Sequence, residues 1–228
     1  MDSMKRRAAR AALDEVPPEG VVGLGSGSTA QLFVEELAVR MRAAGLRIVG
    51  VPTSEVTRAH AASLGIPLMP DEGPWNLDVN VDGADEVSMT LDLIKGGGGA
   101  HAREKIVNYA SARNVVIVDA SKMSTRLGER SAVPIEVLPF AHKTTRDHLT
   151  KLGDPRLRVR GTDPVRTDAG NFIYDLATGP IDDATKLDHA LRAIPGIVET
   201  GLFIARADVV IIADPNGVRR LERKPLSS

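Results

Sequence analysis

Between residues 20 and 120 short apolar runs alternate with segments of helical period, and this alternation limits the fold more than any other feature. "GVVGLG", "LRIVGVP", "LDVNV" and "VVIVDAS" read as strands. "TAQLFVEELAVRMRAAG", "SEVTRAHAASLG" and "AREKIVNYASARN" carry the apolar spacing of helices. The second helix has a serine cap and a glycine stop, Ser54 and Gly65. Strands alternating with helices imply an α/β fold, an open and mostly parallel sheet with helices on both faces. A first helix, residues 4 to about 15, ends at Pro17 and Pro18. "LDLIKG" is a further strand leading into a run of four glycines.

Near residue 130 the pattern changes. "SAVPIEVLPF", "RLRVR", "NFIYDLA" and "IVETGLF" read as strands, with "HKTTRDHLTKLG" and "DDATKLDHALRAIPG" as helices. Strand-helix-strand-strand-helix-strand is the split pattern of a small α+β, ferredoxin-like domain. "ADVVIIAD" then returns to the first sheet. The expected organisation is an α/β domain, residues 1–129 plus 205–228, interrupted by a smaller α+β domain, residues 130–204. The basic tail "GVRRLERKPLSS" reads as a solvated end.

Composition removes several function classes. Net charge is −1, which gives no basic field for nucleic acid or an anionic membrane. Cysteine is absent, which removes disulfides and thiolate chemistry and suits a reducing compartment. No segment approaches the roughly 18 apolar residues of a bilayer span, and "MDSMKRRAARAAL" lacks the apolar core of a secretory signal. A cytoplasmic location is expected. The five histidines do not pair at metal-ligand spacing, so no metal is expected.

In open parallel sheets ligands bind beyond the carboxyl ends of the strands. "GLGSGSTA", "DGADE", "KGGGGAHARE" and "DASK" all follow strands. The first fails the dinucleotide fingerprint, because position 28 is serine and no acid ends the next strand; nor is it a P-loop. It leaves Ser26, Gly27, Ser28 and Thr29 at a helix N-terminus, which reads either as an anion site with phosphate first or as a turn with Ser28 or Thr29 as cap. In "DGADE", Asp82 and Asp85 flank Gly83 and Ala84, either in one pocket or as a solvated turn. Lys95 ends a strand, Gly96 to Gly99 allow close backbone approach, and Glu104 opens a helix, where it also complements the dipole. Two glycines would fill any structural role here; contact with a bound molecule explains four. Lys122 in "DASK" is either an exposed lysine or an anion contact.

In this order and spacing, "GLGSGSTA", "VDGADEV", "IKGGGGAHAREKIV" and "DASK" resemble the type A ribose-5-phosphate isomerases. "PIEVLPF", "LTKLGD", "AIPGIVETGLF" and "PNGV" extend the likeness over almost the whole chain. The resemblance implies interconversion of ribose 5-phosphate and ribulose 5-phosphate, in the non-oxidative branch of the pentose phosphate pathway, with no metal or organic cofactor. It implies Glu104 as base, Asp82, Asp85 and Lys95 as its catalytic partners, and a homodimer or homotetramer. Ser26, Gly27, Ser28, Thr29, Gly83, Ala84, Gly96, Gly97, Gly98 and Lys122 become substrate contacts, with Lys5 a weaker match near the phosphate. Ser26 stands where threonine is common, and His101 where an aliphatic residue is usual. The alternatives are an isomerase of another phosphosugar and a non-catalytic sugar-phosphate sensor. A first strand beginning near residue 20 is expected to leave no room for a sensor's DNA-binding segment.

Overall fold

The computed structural model describes residues 2–223. Its elements run α1 (Asp2–Ala12), β1 (Glu19–Leu24), α2 (Ser28–Ala44), β2 (Arg47–Pro52), α3 (Glu55–Ser63), β3 (Val79–Asp82), β4 (Glu86–Val87), β5 (Leu93–Ile94), α4 (His101–Tyr109) and β6 (Asn114–Asp119). There follow β7 (Val133–Val137), α5 (His142–Leu149), β8 (Asp154–Leu157), β9 (Val159–Arg160), β10 (Asp163–Pro164), β11 (Phe172–Ala177), α6 (Ala184–Arg192), β12 (Ile197–Thr200), β13 (Leu202–Phe203), β14 (Val209–Asp214) and β15 (Gly217–Glu222). The chain divides into two compact units. The first is residues up to Gly83, Arg103–Ser121 and from Ala205 on; the second is Ala84–Ala102 and Lys122–Ile204. These units assign Ala84–Ala102 to the second body, whereas the domain bounds drawn on the sequence place that segment with the first.

In the first unit six strands lie in the order β15-β14-β6-β3-β1-β2. All pairs are parallel except β14–β15. The central strands β3, β6 and β14 are buried on both sides, as parallel strands are when helices cover both faces. Val22, Leu24, Val79, Val81, Val115 and Ile117 face the core that holds Phe33, Val34 and Leu37 of α2 and Ala8, Ala9 and Ala12 of α1. On the opposite face Val51 and Leu77 pack with Val107 of α4. Each such buried aliphatic contributes about 1.5–3 kcal/mol. Ser54 caps α3 by accepting the Thr57 N–H at 3.1 Å.

The second unit holds an antiparallel sheet in the order β12-β7-β11-β8. With α5 after β7 and α6 after β11, this is the split β-α-β-β-α-β arrangement. Leu149 of α5 and Leu191 of α6 join Val133, Ile135, Val137, Tyr174 and Leu176 in one core.

Three sequence expectations are corrected. "LDLI" does not enter the parallel sheet: β5 pairs antiparallel with β4 and β13. Only Ser88–Asp92 separates β4 from β5, and so short a link makes a hairpin, whereas parallel pairing needs a crossover of about a dozen residues or more. "IVETGLF" is not one strand. β12 and β13 join different sheets, with Gly201 between them donating to Pro134 O at 2.7 Å and accepting from Lys95 N at 2.9 Å. The basic tail is not wholly a solvated end, because Gly217–Glu222 forms β15 against β14; residues 224–228 of that segment lie outside the described residues. The adjacent arginines Arg219 and Arg220 charge this edge strand, which keeps the edge from pairing further.

A Cβ on Gly201 would stand 2.3 Å from Lys95 O and 2.7 Å from Pro134 Cδ. Gly201→Ala is therefore expected to destabilise the protein by about 1–3 kcal/mol, as overpacking does. A urea melt with a lower midpoint and an unchanged slope would show it; an unchanged midpoint would mean the backbone there yields freely.

Candidate active site

In the first unit, the loop after β1 is built around Asp82 at the end of β3. Asp82 is 2% exposed, and its Oδ1 accepts N–H groups from Ser26 at 3.0 Å and Gly83 at 2.7 Å. The loop approaches so closely that a Cβ on Gly25 would lie 2.2 Å from Asp82 Oδ1. Ser26 turns its hydroxyl toward the protein, within 2.8 Å of both Thr53 Oγ1 and Ser54 Oγ. Ser26 thus builds the loop with its amide and its hydroxyl.

Neither Ser28 nor Thr29 caps α2. The N-cap is Gly27, at φ 91°, without a side-chain hydrogen bond. A glycine there leaves the first N–H groups of a 17-residue helix available to an anion. Gly27 and Ser28 are exposed, and the Lys5 ammonium donates to Ser28 Oγ at 2.8 Å. Lys5, distant in sequence, therefore stands at this helix mouth. Glu104 lies in the first turn of α4 and is 5% exposed.

In the second unit, Asp85 Oδ2 accepts the Gly97 N–H at 2.7 Å, joining two of the motifs. Lys95 is 5% exposed, and its ammonium lies 5.5 Å from the ring centroid of Phe203. A cavity of about 300 Å³ is lined by Asp85, Gly97, Lys122 and Ser131, with Ala132, Pro134, Arg158 and Asp175 completing the wall. Ala84 is half-buried beside Asp85.

The glycine run is explained differently from the sequence expectation. Gly96 has φ 106°, and a Cβ there would meet His101 Nδ1 at 2.6 Å. On Gly97 it would meet Asp85 Oδ1 at 2.6 Å. Gly99 has φ 79° and sits over Ile173. Three of the four glycines thus have structural reasons, and only at Gly98 would a Cβ find nothing within 4 Å. His101 is wholly buried, and the missing Cβ of Gly96 makes room for its ring.

Sequence reasoning passed over Glu86. It is fully buried, and its two oxygens accept N–H groups from Gly128, Glu129, Arg130 and Ser131 at 2.9–3.3 Å. The loop that brings Ser131 to the cavity is pinned by that carboxylate. Arg158 and Asp175 also carried no local signal. Glu86→Gln turns an amide NH₂ toward these donors and is expected to cost about 1–3 kcal/mol. Chemical denaturation checks it; equal stability would show that the loop holds itself.

The family model described as ribose 5-phosphate isomerase A (phosphoriboisomerase A) matches residues 49–217. The curated ribose-5-phosphate isomerase A of Rhodopseudomonas palustris (strain TIE-1) is 50% identical over 230 residues, 97% of this chain and 98% of its own. The solved structure of ribose 5-phosphate isomerase A from Methanocaldococcus jannaschii matches with TM-score 0.91 and 41% identity, covering 96% of this chain and 98% of that one. A D-ribose-5-phosphate isomerase in complex with phospho-erythronic acid matches with TM-score 0.93 and 40% identity, covering 97% and 98%.

Proposed function

The chain belongs to the ribose 5-phosphate isomerase A family, and from that premise we propose that it interconverts D-ribose 5-phosphate and D-ribulose 5-phosphate through an enediolate, with Glu104 as the base. The geometric observation that carries the reading is the 2.7 Å bond from Gly97 N–H to Asp85, which ties the acidic loop to the glycine run beside a cavity lined by Lys122.

The reaction moves a proton between adjacent carbons. Glu104 takes it from C2 of the open aldose, and negative charge collects on the carbonyl oxygen. Lys95 and a glycine N–H stabilise that oxygen, each well-aimed donor being worth about 2.7–4 kcal/mol. The O2 proton passes to O1, and Glu104 returns its own proton to C1. A positioned base contributes about 10²–10⁴-fold.

The cyclic sugar opens first. Asp82 is engaged in holding the loop after β1, where one of its oxygens accepts two amides. Asp85 accepts one amide and borders the cavity, so the ring hydroxyl's proton is assigned to Asp85. The phosphate is assigned to the mouth of α2, at Gly27, Ser28 and Thr29 with Lys5 beside them. Lys122 is assigned a further contact with the sugar phosphate. Binding energy at the phosphate holds the reacting carbons in place.

The reading includes a metal-free reaction in the cytoplasm, in a homodimer or homotetramer with copy-to-copy contacts on residues 130–204. The absence of cysteine suits a reducing compartment. Among the described residues no helix is long and apolar enough to cross a membrane.

Purified protein in excess EDTA is expected to convert ribose 5-phosphate to ribulose 5-phosphate at an undiminished rate. Glu104→Gln is expected to lose about 10²–10⁴-fold in kcat while a titration still shows sugar-phosphate binding. Normal turnover in that variant would remove Glu104 from the role of base, and a rate abolished by EDTA would remove the metal-free mechanism.

A further inference from the structure

A loop of consecutive glycines has little intrinsic stiffness, so its peptide planes keep one direction only where other groups grip them. Arg158 is the grip. Its Nη1 donates to Gly96 O at 2.8 Å and to Gly97 O at 3.1 Å. Its Nε donates to Asp175 Oδ2 at 2.9 Å, and Nη2 donates to Asp175 Oδ1. The guanidinium side chain is 17% exposed, so it is held on both sides and largely out of water. A planar fork can make these four bonds at once; a lysine ammonium cannot.

In a trans peptide the C=O and N–H point in opposite directions. Where Arg158 draws the Gly96 carbonyl one way, the Gly97 N–H must point the other, and there it meets Asp85 at 2.7 Å. The same rule applied to the next plane turns the Gly98 N–H away from Arg158. Among the described residues that N–H has no hydrogen-bond acceptor, Gly98 is exposed, and its Cβ direction is empty. We infer that Arg158, held by Asp175, is a positioning residue that aims the Gly98 N–H at the oxygen on which charge collects during isomerisation. This rests on the isomerase reading of the site. The bonds to its carbonyls also polarise the two peptides, which strengthens their N–H groups as donors.

The test uses Arg158→Met, Arg158→Lys and Asp175→Asn in the full chain. Each is expected to lower kcat about 10–100-fold, less than the roughly 10²–10³ lost when such a donor is removed outright. KM for ribose 5-phosphate should stay within about twofold, since the lost interaction belongs to the transition state. Lysine should fail to rescue. In the ligand-free protein, amide exchange measured by NMR should show the Gly97 N–H losing protection in Arg158→Met. An unchanged kcat in folded variants, a rise in KM alone, or full Gly97 protection would overturn the inference. Should Arg158→Met fail to fold, Arg158→Lys and Asp175→Asn decide by the same readouts. If the parent protein does not turn over ribose 5-phosphate, the isomerase reading falls, while the exchange of Gly97 still reports whether the clamp exists.

Discussion

Carboxylates that accept backbone N–H groups hold the irregular parts of this protein in place. Asp82 gathers two amides, Asp85 one and Glu86 four. Asp78 and Asp208 do the same for Val21 within β1 and Asn114 at the start of β6. Such bonds are charge-assisted and about twice as strong as neutral ones. They also spare a loop from needing regular structure to satisfy its own donors, which a buried backbone must otherwise do. The run "DGADE" therefore puts three acids within five residues and organises three different segments: the loop after β1, the glycine turn, and residues 128–131.

The glycines complement these acids. A carboxylate can take a main-chain amide at 2.7 Å only where no Cβ blocks the approach, and Gly97 meets that condition at Asp85. Gly25 lets the loop close on Asp82, which takes the amide of the next residue, Ser26. Acid and glycine are thus two halves of one device, and each motif makes physical sense only with its partner. Arg158 works from the carbonyl side of the same turn. Between a carboxylate on one edge and a guanidinium on the other, a segment with almost no side chains acquires a defined direction.

Much of the first sheet could be read from the chain, because strands buried on both faces must be continuously apolar and their connecting helices carry a period of 3.6. Ser54 was recognisable as a cap for the same local reason. The hairpin of β4 and β5 was not readable in this way. Two-residue strands show no period, and their partners depend on the turn between them. The edge strand β15 escaped because an edge exposes its arginines to water and so looks like a solvated tail. The acids, Lys95 and Glu104 stood out through unusual local spacing. Arg158 did not: it lies 62 residues from Gly96, in a stretch where several arginines alternate and nothing local distinguishes one from another.

By itself the sequence determined the class of fold, the family and the motifs that single out candidate site residues. These depend on periodicity and on motifs, both properties of neighbours along the chain. Only the tertiary structure decided which glycines of the run 96–99 are required by packing and which one is left open. It alone also showed that Ser26 faces inward, that Gly27 rather than a hydroxyl caps α2, and that Arg158 reaches the glycine turn. The reason is the same throughout: the direction of a peptide plane or a side chain is set by what is packed against it, and those partners come from elsewhere in the chain.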